Sequence, residues 1–174
     1  MKSYLIVTLL FLQWGNSKAC DCIMIENLKE AQNISFEESE LIFVGRVTEI
    51  RNDGSYVLEN IELFKGELKD STIVNGILDN YCSNSPRKLY ETWLVYTSYD
   101  VEGKISISNC GLSRSFQFPY YYGSHLLPPP PPFGLNDPLD ILELEYLTIE
   151  YKKRALEELK IEIQFLREMK NQIK

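Results

Sequence analysis

Four cysteines, Cys20, Cys22, Cys82 and Cys110, carry the strongest chemical signal in this chain. Two stand one residue apart in Asn16-Ser17-Lys18-Ala19-Cys20-Asp21-Cys22. Four thiols can form two disulfides, or they can hold a zinc ion as thiolates. The zinc option fits poorly, because the paired C-x₂₋₄-C knuckles of such sites are missing. The chain has a single histidine, His125, which rules out any site that needs two imidazoles. A G-x-S-x-G elbow, a metal-binding pair and a glycine-rich phosphate loop are also missing from the sequence. Neither an enzyme nor a cofactor-binding protein is expected.

The compartment decides what the thiols do. Met1-Lys2 gives a charged start, and Tyr4 to Leu12 is an apolar core of about nine residues. Ser17 and Ala19 place small residues at −3 and −1 of a cut before Cys20. This is the pattern of a secretory signal peptide over residues 1–19, too short to span a bilayer. Lipoprotein anchoring at Cys20 is a minor alternative, since Lys18 at −2 suits it badly. No later stretch is long enough to cross a membrane, so a secreted, extracellular protein is expected. There an even set of cysteines favours two disulfides over zinc. Of the three possible pairings, a Cys20–Cys22 bridge is disfavoured by geometry. Cys20 and Cys22 are each expected to reach a distant partner, and spacing leaves open which one. Loops of this length are worth up to about 4 kcal/mol each in the chain-entropy model, against a total stability of about 5–15 kcal/mol.

Charge removes another class. The net charge of −7 becomes −9 once Lys2 and Lys18 leave with the leader. No basic surface is available to follow a phosphate backbone, so nucleic-acid binding is not expected.

The elements that must position the cysteines read mostly as short strands. Ser35-Phe36-Glu37-Glu38 has the S-x-x-E form of a capping box and predicts the start of a short helical turn. Leu41 to Ile50 is a β-branched strand, with Gly45 marking a bulge. Asn52-Asp53-Gly54 predicts a hairpin turn. Tyr56 to Phe64 is a second strand, with Val57, Ile61 and Leu63 on one parity, and Lys65-Gly66 ends it. Ser71 to Val74, Trp93 to Tyr96 and Lys104 to Ile107 are three more, with a turn at Glu102-Gly103. Five short strands on a meander-like path predict a small closed barrel of the oligonucleotide/oligosaccharide-binding (OB) type.

Composition shifts after Phe116. Pro128 to Pro132 is a five-proline run, a stiff polyproline spacer of about 15 Å. Asp137-Pro138 supplies an N-cap and an N1 proline. Ile149, Leu156, Leu159, Ile163, Leu166 and Ile173 then form a helical stripe near heptad spacing. A helix of about 50 Å is too long to bury fully against so small a barrel. Folding back on the domain and self-association are both open to it. The expected division is a signal peptide 1–19, a β domain 20–118, a Tyr/Pro-rich linker 119–136 and an amphipathic helix 137–174. Asn33-Ile34-Ser35 is a sequon, usable where the source glycosylates.

The stretch from Cys20 to Phe116 resembles the netrin-like domain, in particular the N-terminal domain of tissue inhibitors of metalloproteinases. The resemblance rests on "CDC" at the mature N-terminus, "SFEESELIFVGRV", "YVLENIELFKGE" and "WLVYTSYDVEGKISISNC". It implies the barrel, and it implies the pairing Cys20–Cys82 and Cys22–Cys110. The chain lacks the third disulfide of that domain, and a proline spacer and helix replace the inhibitors' second, disulfide-rich domain.

The resemblance also implies a mechanism. After leader removal, the amino nitrogen and carbonyl oxygen of Cys20 would chelate the catalytic zinc of an extracellular metalloprotease. Asp21 would enter the pocket next to that zinc, where the inhibitors carry a small hydroxyl side chain. A carboxylate is costly in an apolar pocket, so weak inhibition of such proteases is expected, and a basic pocket suits it better. The alternative is a non-inhibitory netrin-like adaptor, with the helix mediating assembly.

Overall fold

The computed structural model describes residues 20, 22, 25, 27–70, 72–79, 82–121 and 138–173. The leader, Asp21, His125, the five-proline run and Asp137 lie outside the described residues.

The first described helix, α1, spans Leu28–Glu38. Asn27 caps it, its side-chain oxygen accepting from the backbone N–H of Lys29 at 3.0 Å and of Glu30 at 3.2 Å, which satisfies donors that the first turn leaves free. The Ser35–Glu38 run therefore does not start a helix. It lies in the last turn of one that begins earlier, and the Ser35 carbonyl accepts the closing bond from Ser39 N–H. Lys65 Nζ donates to the carbonyls of Phe36 at 2.6 Å and Glu37 at 3.1 Å, placing a cation at the negative end of the helix. Asn33 is exposed on α1.

Among the described residues seven strands follow: β1 Leu41–Ile50, β2 Tyr56–Lys65, β3 Ile73–Gly76, β4 Ser83–Asn84, β5 Thr92–Thr97, β6 Ile107–Ser108 and β7 Arg114–Ser115. Five form one antiparallel sheet in the order β3-β2-β1-β5-β7, while β4 and β6 form a separate ribbon. The β1–β2 turn is the expected one: Gly54 has φ +83, and Asp53 Oδ1 accepts from Ser55 N–H. At Gly45 the register shifts as expected, and a Cβ there would lie 2.7 Å from the Phe43 ring. Further shifts at Ile42/Phe43 and Val47/Glu49 change parity along the β1–β2 pair. Tyr56, Val57, Leu58 and Phe64 are buried in β2, Tyr56 and Leu58 in one core and Phe64 in the other, whereas Ile61 is exposed.

The sheet does not close into the expected barrel. Its fifth member is β7, not residues 104–107. The segment after the Asp100–Lys104 turn contributes only Ile105, which bridges to Gly76 on one side and Tyr99 on the other. Two residues further on, β6 leaves to pair with β4. An edge strand spent on that ribbon cannot also complete a ladder along β3.

Both faces of the sheet are buried, which accounts for the near-continuous apolar runs in β1 and β5. Leu41, Phe43, Val47, Trp93 and Val95 point into one core with Tyr56, Leu58, Ile105 and Ile107. Ile42, Val44, Leu94 and Tyr96 point into the other, with Ala31, Phe36, Leu159 and Leu166. The last two belong to the C-terminal helix, α2, Pro138–Ile173. Its second half folds back on the sheet, burying Ala155, Leu159, Glu162 and Leu166. Lys170, which interrupts the apolar stripe, donates to the Leu63 carbonyl at 2.6 Å. Arg167 makes a two-pronged pair with Glu62 at 2.9 and 2.7 Å; that hydrogen bond holds the Glu62 carboxyl below its usual range. No described helix is long and apolar enough to cross a membrane.

Candidate functional site

The β4–β6 ribbon explains why two cysteines one residue apart can each reach a remote partner. Cys82 immediately precedes β4, and Cys110 follows β6 by one residue. Pairing Ser83 with Ser108 and Asn84 with Ile107 sets the two cysteines side by side. The Asn109 backbone N–H donates to the Cys82 carbonyl at 2.8 Å, and its side chain to the Ser83 carbonyl at 3.2 Å. Ser106 ties the ribbon to the main sheet: its hydroxyl meets that of Ser83 at 2.9 Å, and its carbonyl accepts from Thr97 Oγ1 at 2.8 Å.

Cys20 bonds Cys82 and Cys22 bonds Cys110, with Cα–Cα separations of 5.4 and 5.2 Å. All four thiols are consumed, so a thiolate zinc site is not formed. Among the described residues no three His, Cys, Asp or Glu side chains group as metal ligands. The N-terminal segment is thus fastened at two points, two residues apart, across one ribbon. Cys20 is half-buried, and Asp21 lies outside the described residues.

Beside the ribbon is a cavity of about 500 Å³, bordered by Asn84 of β4 and by Gly111, which follows Cys110. Its walls mix four aromatic rings, Trp93, Phe118, Tyr120 and Tyr121, with polar and charged side chains. Phe118 and Tyr120 meet edge to face at 4.8 Å between centroids. Glu91 holds one wall, accepting from Trp93 Nε1 at 3.2 Å and from the Arg87 backbone N–H at 3.3 Å. Burial raises the pKa of the Tyr120 and Tyr121 phenols, and Glu158 pushes Tyr121 further.

Arg114 also borders this cavity, and it belongs to a buried polar cluster that periodicity does not announce. Its guanidinium and the Glu162 carboxylate are 1% and 0% exposed and meet at 2.6 Å. Glu162 also accepts from Tyr96 OH at 2.7 Å and Gln32 Nε2 at 3.3 Å. Arg114 Nη1 donates to the Leu112 carbonyl at 2.6 Å, while its Nε has no hydrogen-bond partner among the described residues. Burial, and then the adjacent Glu162 charge, drive the Tyr96 phenol far above its ordinary range. The cluster joins α1, β5, β7 and α2. Its one sequence signal is a glutamate three residues after Leu159 and four before Leu166, on the buried face.

Comparison with protein-family models and with curated proteins finds no match for this chain.

Proposed function

We propose that the mature protein is a secreted, netrin-like inhibitor of a metalloendopeptidase, acting through Cys20. The observation that carries this reading is the double fastening of Cys20 and Cys22 to Cys82 and Cys110 across one ribbon. A front end anchored in this way loses little conformational freedom on docking. After leader removal, the new α-amino group and the carbonyl of Cys20 would displace water from the open coordination position of a protease's zinc. An α-amino group titrates at about 7.7–8.0, so a deprotonated fraction exists at neutral pH. On this reading the open sheet is a relative of the five-stranded OB barrel, with Ile105 standing where a closing strand would run.

Asp21 sets the specificity. Its carboxylate disfavours apolar primed-side pockets by several kcal/mol and favours a basic one. The test is inhibition of a matrix-type metalloprotease by the mature chain, by Asp21→Thr, and by a form with one extra residue before Cys20. Asp21→Thr should inhibit more tightly than the parent, and the extended form should not inhibit. Inhibition by the extended form equal to that of the mature chain would refute zinc chelation.

A second reading, a non-inhibitory binding module, is favoured by the cavity beside the ribbon, in which aromatic rings and polar side chains converge. Binding there is indifferent to a residue added before Cys20 and sensitive to Tyr120→Ala. The two readings therefore separate in one experiment.

A further inference from the structure

We infer that a second copy of this chain covers the first half of α2, the two helices running antiparallel. Three observations converge on this pairing.

The first half of the helix is bare. No side chain from 141 to 154 is buried; only Leu144 and Tyr151 are half-buried, and burial begins at Ala155. This overhang is about 21 Å long at 1.5 Å per residue. Helical segments of about 12–15 residues are marginal in water without a packed face.

The overhang carries an apolar stripe that its own domain does not use. Leu142, Tyr146 and Ile149 are 46%, 63% and 59% exposed. At about 100° per residue they cluster roughly 130° around the axis from the face defined by Ala155, Leu159, Glu162 and Leu166. Their spacing of four and then three residues is that of a and d positions in a heptad, with Lys153 at the next a.

Length and charge then select the orientation. In an antiparallel pair, a positions face d positions of the other helix. Tyr146 meets Ile149 of the other copy, and Leu142 meets the aliphatic stem of Lys153. In that register residue 141 lies opposite 154, so each overhang ends where the other body begins. Glu145 faces Lys152 of the other copy and Glu143 faces Glu150, each contact occurring twice by symmetry. A parallel pair instead sets Lys153 against Lys153 and Glu145 against Glu150, and brings the two folded bodies to the same end. Three stripe residues per copy, with two repulsive contacts offsetting the two attractive ones, make a weak, concentration-dependent dimer.

The test is sedimentation equilibrium of the mature full-length chain over about two decades of concentration. The wild type should shift from monomer to dimer mass. Ile149→Glu should remain monomeric while its urea midpoint, set by a body that excludes residue 149, stays unchanged. Glu145→Lys and Lys152→Glu should each weaken association about five- to tenfold, and the double charge swap should restore it. A wild type that stays monomeric throughout, an Ile149→Glu variant that associates like wild type, or a double swap no tighter than the single swaps would each overturn the antiparallel pairing.

Discussion

Replacing Glu162 with alanine should cost the protein a large share of its stability, and the structure allows the size to be argued. The carboxylate is fully buried and accepts four hydrogen bonds: from Arg114 Nη2 at 2.6 Å, Arg114 Nη1 at 3.4 Å, Tyr96 OH at 2.7 Å and Gln32 Nε2 at 3.3 Å. Removing it leaves a guanidinium that is 1% exposed, with, among the described residues, only the Leu112 carbonyl as acceptor and an Nε that has none. Breaking a buried pair from one side costs about 3–5 kcal/mol, because the remaining charge is uncompensated. A domain of this kind has about 5–15 kcal/mol in total. The exposed pairs Arg51–Glu49, Lys104–Glu102 and Lys160–Glu157 are screened by solvent, so their removal, which should be close to neutral, is the control. Converting Arg114 to Met, Glu162 to Leu and Tyr96 to Phe together should recover most of the loss, because well-packed apolar groups often replace a buried ion pair at little cost. The assay is urea unfolding of the oxidised chain at neutral pH, followed by helical circular dichroism and by Trp93 fluorescence. After leader removal Trp93 is the sole tryptophan. A loss below about 1 kcal/mol on Glu162→Ala, or a triple variant no more stable than the single one, would refute a buried uncompensated charge as the cause.

Other perturbations follow from the same geometry. Burial raises the Tyr56 and Tyr96 phenols well above their ordinary range. The folded state therefore holds protons that the unfolded state releases, and stability is full below the unfolded value of about 10 and falls above it. The slope should approach 1.4 kcal/mol per pH unit for each tyrosine, with tyrosinate absorbance appearing together with loss of structure. Gly66 has φ +83, and a Cβ there would collide with the Glu40 carbonyl, so Gly66→Ala should cost about 1–3 kcal/mol and lower Tm by several degrees. Replacing Cys22 and Cys110 by serine opens a link between residues 88 apart and should cost up to about 4 kcal/mol. The Cys20–Cys82 counterpart, 62 apart, should cost slightly less; both are read from urea midpoints.

What the sequence makes legible divides along physical lines. Hairpins and bulges are local events, and Asp53, Gly54 and Gly45 announce them because few other residues tolerate those backbones. The cysteine pairing followed from resemblance and is present, but the reason it works, the Cys82 and Cys110 ends of one ribbon, depends on a long-range pairing of two-residue strands too short to leave a periodic trace. The same ribbon defeats the barrel expectation. Lys104 to Ile107 alternates as a strand should, yet alternation does not reveal which neighbour a strand will take. The α1 boundary was missed because Ser35 and Glu38 match a capping box as well as Asn27 matches a single-residue cap; only the chain entering at Asn27 decides between them.

The buried cluster lay hidden for a different reason. Residue type marks Glu162 and Arg114 as solvent-facing, since one sits on a charged helix and the other between two serines, and the one local sign against it is the place of Glu162 between Leu159 and Leu166 on the apolar face. They become a pair only because β7 adds to the edge of the sheet at β5 and α2 crosses that same face. A barrel closed on itself would keep one core inside. This open sheet carries apolar side chains on both faces, so Ile42, Val44, Leu94 and Tyr96 need a cover, and α1 and the second half of α2 supply it. The helix is therefore part of the β domain's own core from Ala155 onward, and its first half alone is left to meet something else. Two apolar faces thus overlap along one helix: Leu159 and Leu166 pack on the sheet, while Leu142, Tyr146 and Ile149 are exposed.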